Sequence, residues 1–235
     1  MLGLVCALSV PLSASAYVLG PTTPGKWGPA TMGTGATVSW SLMGSGTSCA
    51  GEASGCTITA LAAFMPAGFL GTIQNAFAAW SAAADIHFVM MADDGAAYNT
   101  PTASGDIRLG GHTMDGLSGT LAHGYFAPIN GGSAAGDIHF DTAEPWNLGF
   151  AGAGFDVFQV MAHEIGHAIG LHHTNVANSL MNPHYTEAFS GPQADDIAGA
   201  RFIYGAPVQV PEPASMALLG LALAGLGLSR RRAAR

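Results

Sequence analysis

The chain has 235 residues, which is enough for one domain with a sizeable hydrophobic core. Charged residues make up only 9% of the sequence, and between residues 17 and 209 three basic residues stand against fourteen acidic ones. This acidic excess argues against nucleic acid as a partner and favours the binding of cations.

The N-terminal segment has the features of a secretory signal peptide over residues 1–16. It is apolar and ends in Ala14-Ser15-Ala16, the small-x-small pattern of a cleavage site, although the usual positive charge at the start is absent. A buried N-terminal strand is the alternative. With cleavage after residue 16, we expect an irregular arm rich in Pro, Gly and Thr over residues 17–35.

Two cysteines of the exported part flank the turn-forming stretch AGEASG. Because export leads to an oxidising compartment, we expect Cys49 and Cys56 to form a disulfide, with two free thiols as the alternative. Closing so short a loop would contribute about 2–3 kcal/mol in the chain-entropy model.

The body of the chain contains several short segments in which apolar and polar residues alternate, as they do in half-buried strands. In the segment that begins at Asp85, His87 falls on the opposite face from the apolar residues, so we interpret it as a structural or surface histidine. Strands are predicted over residues 36–43, 85–91, 105–109, 120–125 and 137–141.

Three helices are also expected, so the body is predicted to be α+β. The first covers residues 69–84, and a second, over residues 155–170, can be capped by Asp156. The third is predicted over residues 192–204, with Pro192 at its start.

Residues 163–173 read HEIGHAIGLHH and predict a metal site. On a helix, His163 and His167 lie one turn apart on the same side, so both imidazoles can point at one ion. Gly170 lets the chain leave the helix sharply, because glycine adopts the left-handed conformation without steric penalty, and His173 can then return as a third ligand. Three nitrogen ligands leave the fourth tetrahedral position of zinc to water, as in catalytic sites.

Glu164 adjoins the first histidine and is not needed for coordination. Its carboxylate can accept a proton from a metal-activated water molecule and pass it to the departing amine, so we expect it to be the general base. Exposed histidines on a helix are the alternative, but they would leave Gly170 and His173 unexplained.

Residues 179–185, SLMNPHY, follow the zinc motif. Together the two segments resemble the metzincins, and among them the matrixins, or matrix metalloproteases. The resemblance extends from about Trp27 to Gly205. It implies that Met181 lies in a methionine-containing turn below the zinc, and that Pro183 and Tyr185 wall the pocket for the substrate residue after the cut.

The resemblance also implies the fold and its limits. We expect a matrixin-like catalytic domain over residues 36–206, with a twisted, mostly parallel five-stranded sheet, about three helices and a zinc cleft between two subdomains. His172 stands where the family often has Asp, and we regard it as a second choice to His173, whose spacing is right.

A second, structural zinc is implied by the same resemblance. His123 and His139 match the family's ligand segments, but the His-Gly-Asp that precedes them in the family is absent here. His112 is the only histidine available to replace it.

Calcium ions are the third expectation from the family. Asp115, Asp141 and Glu144 match one calcium site, and Asp106 and Asp137 match another. Carboxylate oxygens suit calcium, although these acids could instead cap loops.

The C-terminal residues 207–235 combine Val-Pro-Glu-Pro, an uncharged apolar run of about sixteen residues and an arginine cluster. This combination resembles the PEP-CTERM sorting signal of Gram-negative bacteria, which implies an exosortase as a partner, with a short membrane helix before processing. A plain membrane anchor is the alternative, since the run is shorter than the roughly twenty residues of a full span.

The leading hypothesis is a secreted or cell-envelope zinc endopeptidase that acts on proteins or peptides. A non-enzymatic envelope or matrix protein, stiffened by zinc and calcium, is the alternative class. A zinc amidase acting on cell-wall peptide would share the chemistry and differ in its substrate.

Overall fold

The computed structural model describes residues 16–208. Within this range the helices are Phe69–Ala83 (α1), Val157–Ala168 (α2) and Ala194–Tyr204 (α3), with a short 3-10 turn at Leu61–Ala63. The strands are Val18–Leu19 (β1), Ala36–Leu42 (β2), Ile86–Met90 (β3), Ile107–His112 (β4), Ala122–Gly124 (β5), Ile138–Asp141 (β6), Trp146–Asn147 (β7), Phe155–Asp156 (β8) and Leu171–His172 (β9).

No helix within residues 16–208 combines the length and the apolar character that crossing a membrane requires. The apolar run that precedes the C-terminal arginines lies outside the described residues, and so do residues 1–15 of the predicted signal peptide. The signal peptide and the membrane helix therefore stay predictions.

The main sheet has five strands in the order β3-β2-β4-β6-β5. β2 pairs in parallel with β3 and β4, and β4 pairs in parallel with β6, whereas β5 runs antiparallel to β6. The predicted α+β fold, with a mostly parallel five-stranded sheet and three helices, is confirmed.

Strand β4 continues three residues beyond its predicted end, as far as His112. Gly110 and Gly111 follow the predicted strand, which ended at residue 109, but both lie in the buried strand. A Cβ on Gly110 would lie 2.7 Å from a side-chain atom of Ile58, and one on Gly111 would lie 2.5 Å from Phe64. Because the two glycines lack side chains, Ile58 and Phe64 can pack directly on this part of β4. The extension of the strand brings His112 opposite β6.

The predicted helices are present, but four of their ends differ by one or two residues from the predicted ones. Asp156 caps α2 as predicted, its Oδ2 accepting a hydrogen bond from the Gln159 amide at 3.1 Å. α2 ends at Ala168 because the chain turns at Gly170. α3 begins at Ala194, not at Pro192, because Gln193 is its N-cap in a reciprocal capping box with the third helical residue.

The N-terminal arm is less irregular than predicted. Its strand β1 pairs antiparallel with β9, the segment that follows α2. In addition, the Gly20 amide donates to the Gly170 carbonyl at 2.8 Å, and the Trp27 indole donates to the Ala168 carbonyl at 2.7 Å. The arm therefore holds the C-terminal end of the helix that carries the HEIGH motif.

Within residues 16–208, Arg108 and Asp93 form a buried ion pair. The Arg108 side chain on β4 is fully buried and donates from Nε and Nη2 to the two carboxylate oxygens of Asp93 at 2.9 and 2.8 Å. The Ser41 hydroxyl and the Gly95 amide also donate to this carboxylate. His87, by contrast, is exposed beside Asp85, as expected for a surface histidine.

We predict that Asp93→Asn lowers the free energy of unfolding by about 3–5 kcal/mol, because it leaves the Arg108 guanidinium buried without a counter-charge. The matched control is Asp94→Asn, since Asp94 is exposed and its carboxylate bonds only within its own loop. Urea denaturation followed by circular dichroism measures both values. Equal losses in the two variants would contradict the importance of the buried pair.

Candidate active site

Helix α2 carries His163, Glu164 and His167 on the side that faces a cleft. The two imidazole rings are oriented by backbone carbonyls: His163 Nδ1 lies 2.6 Å from the Leu180 oxygen, and His167 Nδ1 lies 2.9 Å from the Leu171 oxygen. A carbonyl only accepts, so each Nδ1 carries the proton of a neutral ring. Each Nε2 therefore presents its lone pair to the cleft.

The turn at Gly170 brings a third imidazole to the same point. Gly170 has φ of 105°, in the left-handed region, and a Cβ there would lie 2.2 Å from the Gly25 carbonyl oxygen. After the turn, His173 Nε2 lies 3.1 Å from the Nε2 atoms of both His163 and His167. The predicted trio is therefore brought together.

His172 does not join this cluster. Its Nδ1 accepts a hydrogen bond from the His173 amide at 2.7 Å, and its ring packs edge-on against Phe126. Among the two adjacent histidines, His173 is thus the one whose ring faces the other imidazoles.

The chemistry of these donors fits a metal cation. His173 Nε2 can carry one proton, which it can donate to Nε2 of either His163 or His167. The other of these two nitrogens then faces His173 without a hydrogen bond. The three nitrogens lie within 4.8 Å of one another, a spacing that a zinc ion with Zn–N bonds of about 2.0–2.1 Å can bridge. Burial lowers the pKa of His163 to about 4 and that of His167 well below its ordinary value, which keeps both rings neutral, as ligands must be.

Glu164 lies beside the cluster but is not one of its close donors. Its side chain is buried next to β5, where a Cβ on Gly124 would lie 3.2 Å from the Glu164 carboxyl oxygen Oε2. Burial raises the pKa of the Glu164 carboxyl to about 8, and a hydrogen bond with the Gly124 backbone opposes the shift. A carboxyl group whose pKa lies near neutrality can both take up and release a proton.

Met181 packs against α2 at Gly166, which lies between the two helix histidines in sequence. A Cβ on Gly166, in the middle of the HEIGH motif, would lie 2.3 Å from the Met181 sulfur and 3.3 Å from the Trp80 ring. The Met181 carbonyl accepts from the Thr174 amide at 3.0 Å. The segment that follows His173 is therefore folded back under α2.

Asp196 on α3 anchors this turn, a role that the sequence did not reveal. Its carboxylate accepts from the amides of Leu180 and Met181 at 2.7 and 3.1 Å, and from the Ser179 hydroxyl. Because the Leu180 carbonyl orients His163, Asp196 helps to position a candidate ligand through two hydrogen bonds.

The cleft above the cluster has a volume of about 790 Å³. Residues 118–124 and residues 182–186 form parts of its wall, together with the histidines of α2. The candidate pocket residues Pro183 and Tyr185 both lie in this wall. The Tyr185 hydroxyl accepts from the Asp156 amide at 2.9 Å and donates to Glu187 at 3.0 Å, which fixes its ring at the cleft.

A second group of potential metal ligands lies on the strands of the main sheet. It contains the three predicted histidines, His112 on β4, His123 on β5 and His139 on β6. It also contains Glu52, which the sequence analysis missed because the stretch AGEASG was interpreted only as a turn. The signal that could have revealed it is that Glu52 is the only charged residue between the two cysteines.

The disulfide between Cys49 and Cys56 is present, with the two Cα atoms 4.9 Å apart. The acids proposed for calcium are arranged less clearly. Within residues 16–208, neither acid set forms a group of three mutually close His, Cys, Asp or Glu donors. A calcium site does not need three side-chain donors in close contact, because backbone carbonyls and water also bind the ion.

The two acid sets differ in their surroundings. Asp115, Asp141 and Glu144 lie around one loop: the Asp115 amide donates to Asp141 at 3.3 Å, and the Gly119 amide donates to Glu144 at 3.2 Å.

The second acid set is engaged at two places in the sheet. Asp106 accepts from the backbone and hydroxyl of Ser39 on β2, whereas Asp137 accepts from the Arg108 backbone amide on β4. Among the residues that the structure describes, Asp106 and Asp137 therefore do not form a close group with a third carboxylate.

The fold and the histidine cluster together define a metzincin-like protein. Residues 62–205, more than half of the chain, match the matrixin family, peptidase M10. The chain therefore belongs to the matrixin family. Residues 209–232, outside the described part, match the PEP-CTERM protein-sorting motif, which confirms the predicted motif and indicates an exported bacterial protein.

Several curated proteins are similar to this chain. Karilysin of Tannerella forsythia is 36% identical over 152 residues, which cover 61% of this chain and 30% of karilysin. Matrix metalloproteinase-16 of Homo sapiens is 45% identical over 105 residues, or 43% of this chain and 17% of the relative. Macrophage metalloelastase of Rattus norvegicus is 37% identical over 141 residues, or 59% and 29%. The chain thus spans less than a third of the length of these relatives.

We predict that Gly166→Ala lowers the melting temperature, because the new methyl group would overlap the Met181 sulfur, and overpacking typically destabilises by about 1–3 kcal/mol. The matched control is Gly71→Ala, also within a helix, where nothing lies within 4 Å of the added Cβ. The control should be stabilised by up to about 1 kcal/mol through helix propensity. Thermal unfolding followed by circular dichroism separates the two, and a similar stabilisation of both variants would show that Gly166 is not in tight contact.

Proposed function

We propose that this protein is a zinc-dependent endopeptidase that hydrolyses peptide bonds in proteins or peptides outside the cytoplasm. One observation carries the proposal: three neutral imidazole nitrogens converge beside a buried carboxyl group at an open cleft. Three ligands leave one coordination position free for water, which is the arrangement of catalytic zinc sites.

In this proposal His163, His167 and His173 hold the zinc through their Nε2 atoms. Bound zinc lowers the pKa of water and polarises the carbonyl of the bond to be cut. The Glu164 carboxylate takes a proton from the attacking water and delivers it to the departing amine, so the same group acts first as base and then as acid.

The remaining residues orient these groups and the substrate. The carbonyls of Leu180 and Leu171 keep Nδ1 protonated and Nε2 free for the metal. Tyr185, held by two hydrogen bonds, and Pro183 form a wall that would contact the substrate residue after the cut. Substrate preference would then depend on residues 182–186.

We further propose two kinds of supporting metal. His112, His123 and His139 would hold a structural zinc between β4, β5 and β6. Asp115, Asp141 and Glu144 would contribute to a calcium site. In support, Asp141 and Glu144 are buried, Glu144 Oε2 has no hydrogen-bond partner, and neither acid pairs with Lys or Arg within residues 16–208.

We propose that the enzyme works at the cell envelope or outside the cell of a Gram-negative bacterium. The support is the match of residues 209–232 to the PEP-CTERM motif. An exosortase would then be the partner that processes this segment, which would insert in the membrane before processing.

Replacing Glu164 by Gln should reduce peptide cleavage by at least about 10²–10⁴-fold, the usual contribution of a positioned general base. Zinc content should stay unchanged, because Glu164 is not among the close donors. Cleavage of a quenched-peptide library, read by mass spectrometry, measures the activity, and His87→Gln is the surface control.

Two results would count against the proposed activity. Retained cleavage in the Glu164→Gln protein would contradict the assigned role of Glu164. The second result is a folded, zinc-containing wild-type protein that cleaves neither casein nor any library peptide. It would support a non-enzymatic, metal-stabilised protein, whereas cleavage that phenanthroline abolishes would support the enzyme.

The calcium proposal predicts that adding calcium to the calcium-depleted protein at constant zinc raises its melting temperature. At a calcium concentration 100 times Kd, the stabilisation is about 2.7 kcal/mol. Glu144→Gln should abolish the shift, whereas Asp106→Asn should retain it. Loss of the shift in Asp106→Asn but not in Glu144→Gln would assign calcium to the other acid set.

A further inference from the structure

We infer that Glu52, carried by the disulfide-closed loop between Cys49 and Cys56, is the fourth ligand of the second metal ion and closes its coordination shell. The inference rests on the structural zinc proposed above. It adds a ligand and a positioning device that the histidines alone do not indicate.

The distances place the Glu52 carboxylate at the centre of the three imidazoles. Its Oε1 lies 2.8 Å from His112 Nε2 and 2.6 Å from His123 Nε2, and its Oε2 lies 2.7 Å from His139 Nδ1. One donor atom from each of the four side chains lies within 4.8 Å of the others. Three nitrogens and a carboxylate oxygen are a donor set that zinc accepts.

The hydrogen-bond pattern at His112 calls for a cation. His112 Nδ1 faces the Thr113 carbonyl oxygen at 3.1 Å, so in a neutral ring the proton is on Nδ1. The Nε2 lone pair then points at a carboxylate oxygen, and two acceptors this close repel each other unless a second ring proton or a metal ion lies between them. A metal ion bound to both satisfies the nitrogen and the oxygen at once.

Glu52 is held by a short and well-bonded loop. The disulfide closes eight residues, and inside it the Glu52 amide donates to the Cys49 carbonyl at 2.9 Å. The Cys49 side chain is buried against Met43, Ile58 and Tyr98. The base of the loop is thus part of a small hydrophobic cluster.

The chain leaving the loop is joined to the strand that carries His112. Thr59 and Gly111 exchange both backbone hydrogen bonds, at 2.6 and 3.0 Å. Gly111 immediately precedes His112. The backbone pairing of Thr59 with Gly111 therefore holds the segment that carries Glu52 next to the strand that carries His112. This arrangement supplies a carboxylate and an imidazole at a site where the His-Gly-Asp segment of the family is missing.

The two metal clusters therefore differ in a way that fits two roles. The first has three donors and opens to the cleft. The second has four, and His139 is completely buried. A four-ligand site has no vacant position for water, which is the arrangement of structural zinc.

The test isolates the second site in a protein in which His163→Ala and His167→Ala remove the first. This protein should bind one zinc ion, measured by competition with a chromophoric chelator and by elemental mass spectrometry. Adding Glu52→Gln should weaken zinc binding at least about 100-fold, beyond the 10–100-fold that loss of an outer-shell partner causes. The matched control is Ser54→Ala, an exposed residue of the same loop.

The loop itself is tested by Cys49→Ser combined with Cys56→Ser in the same background. We expect zinc affinity to fall about 10-fold or more, because Glu52 is no longer held in place. The same substitutions are also made in the otherwise wild-type chain. For each variant, circular dichroism checks that it folds, and its zinc stoichiometry is measured. There, the zinc content should fall from two ions per chain to one with Glu52→Gln after dialysis against a weak chelator.

The outcomes separate the two proposals. If the background protein binds no zinc, and the wild-type chain retains only one ion, the structural zinc itself is wrong. If zinc binds equally tightly with Glu52→Gln, the structural zinc stands and Glu52 is not a ligand. If only the double cysteine variant is unaffected, Glu52 is a ligand but the disulfide does not position it.

Discussion

The reversal of the chain at Gly170 is the constraint on which the first histidine cluster depends. A helix alone can align His163 and His167, but the third imidazole must come from a segment that turns back within three residues. Gly170 permits this turn through its positive φ, and the N-terminal arm closes over it through the Gly20 amide and strand β1. A side chain at residue 170 would collide with the arm. The arm, the turn and the third histidine therefore form one structural unit.

Much of the fold, and the first cluster, could be predicted because they rest on local patterns. Helical spacing and one glycine, all within eleven residues, are enough to predict that three histidine rings meet at one point. The ends of elements were less predictable: β4 runs through Gly110 and Gly111 because Ile58 and Phe64 cover them, and no local pattern shows such a cover. Sequence alone could not assign the partners that come from distant segments.

Glu52 and Asp196 illustrate that limit. Glu52 is separated by 60, 71 and 87 residues from the three histidines that it contacts. Asp196 reaches the methionine turn from another helix. Each has an ordinary local explanation, as a turn residue and as an acid in the first turn of a helix, so only the tertiary fold reveals the second role.

The scarcity of basic residues explains why metal ions suit this fold. Within residues 16–208, Lys26 donates to backbone carbonyls, Arg201 donates to the Ala83 carbonyl, and only Arg108 pairs with an acid, Asp93. Buried carboxylates such as Asp141 and Glu144 must therefore be stabilised by backbone amides or by cations from solution. Metal ions can supply that charge only after folding has brought the ligands together. In a chain with so few lysines and arginines, the proposed metal ions would thus take over part of the role that ion pairs have in other proteins.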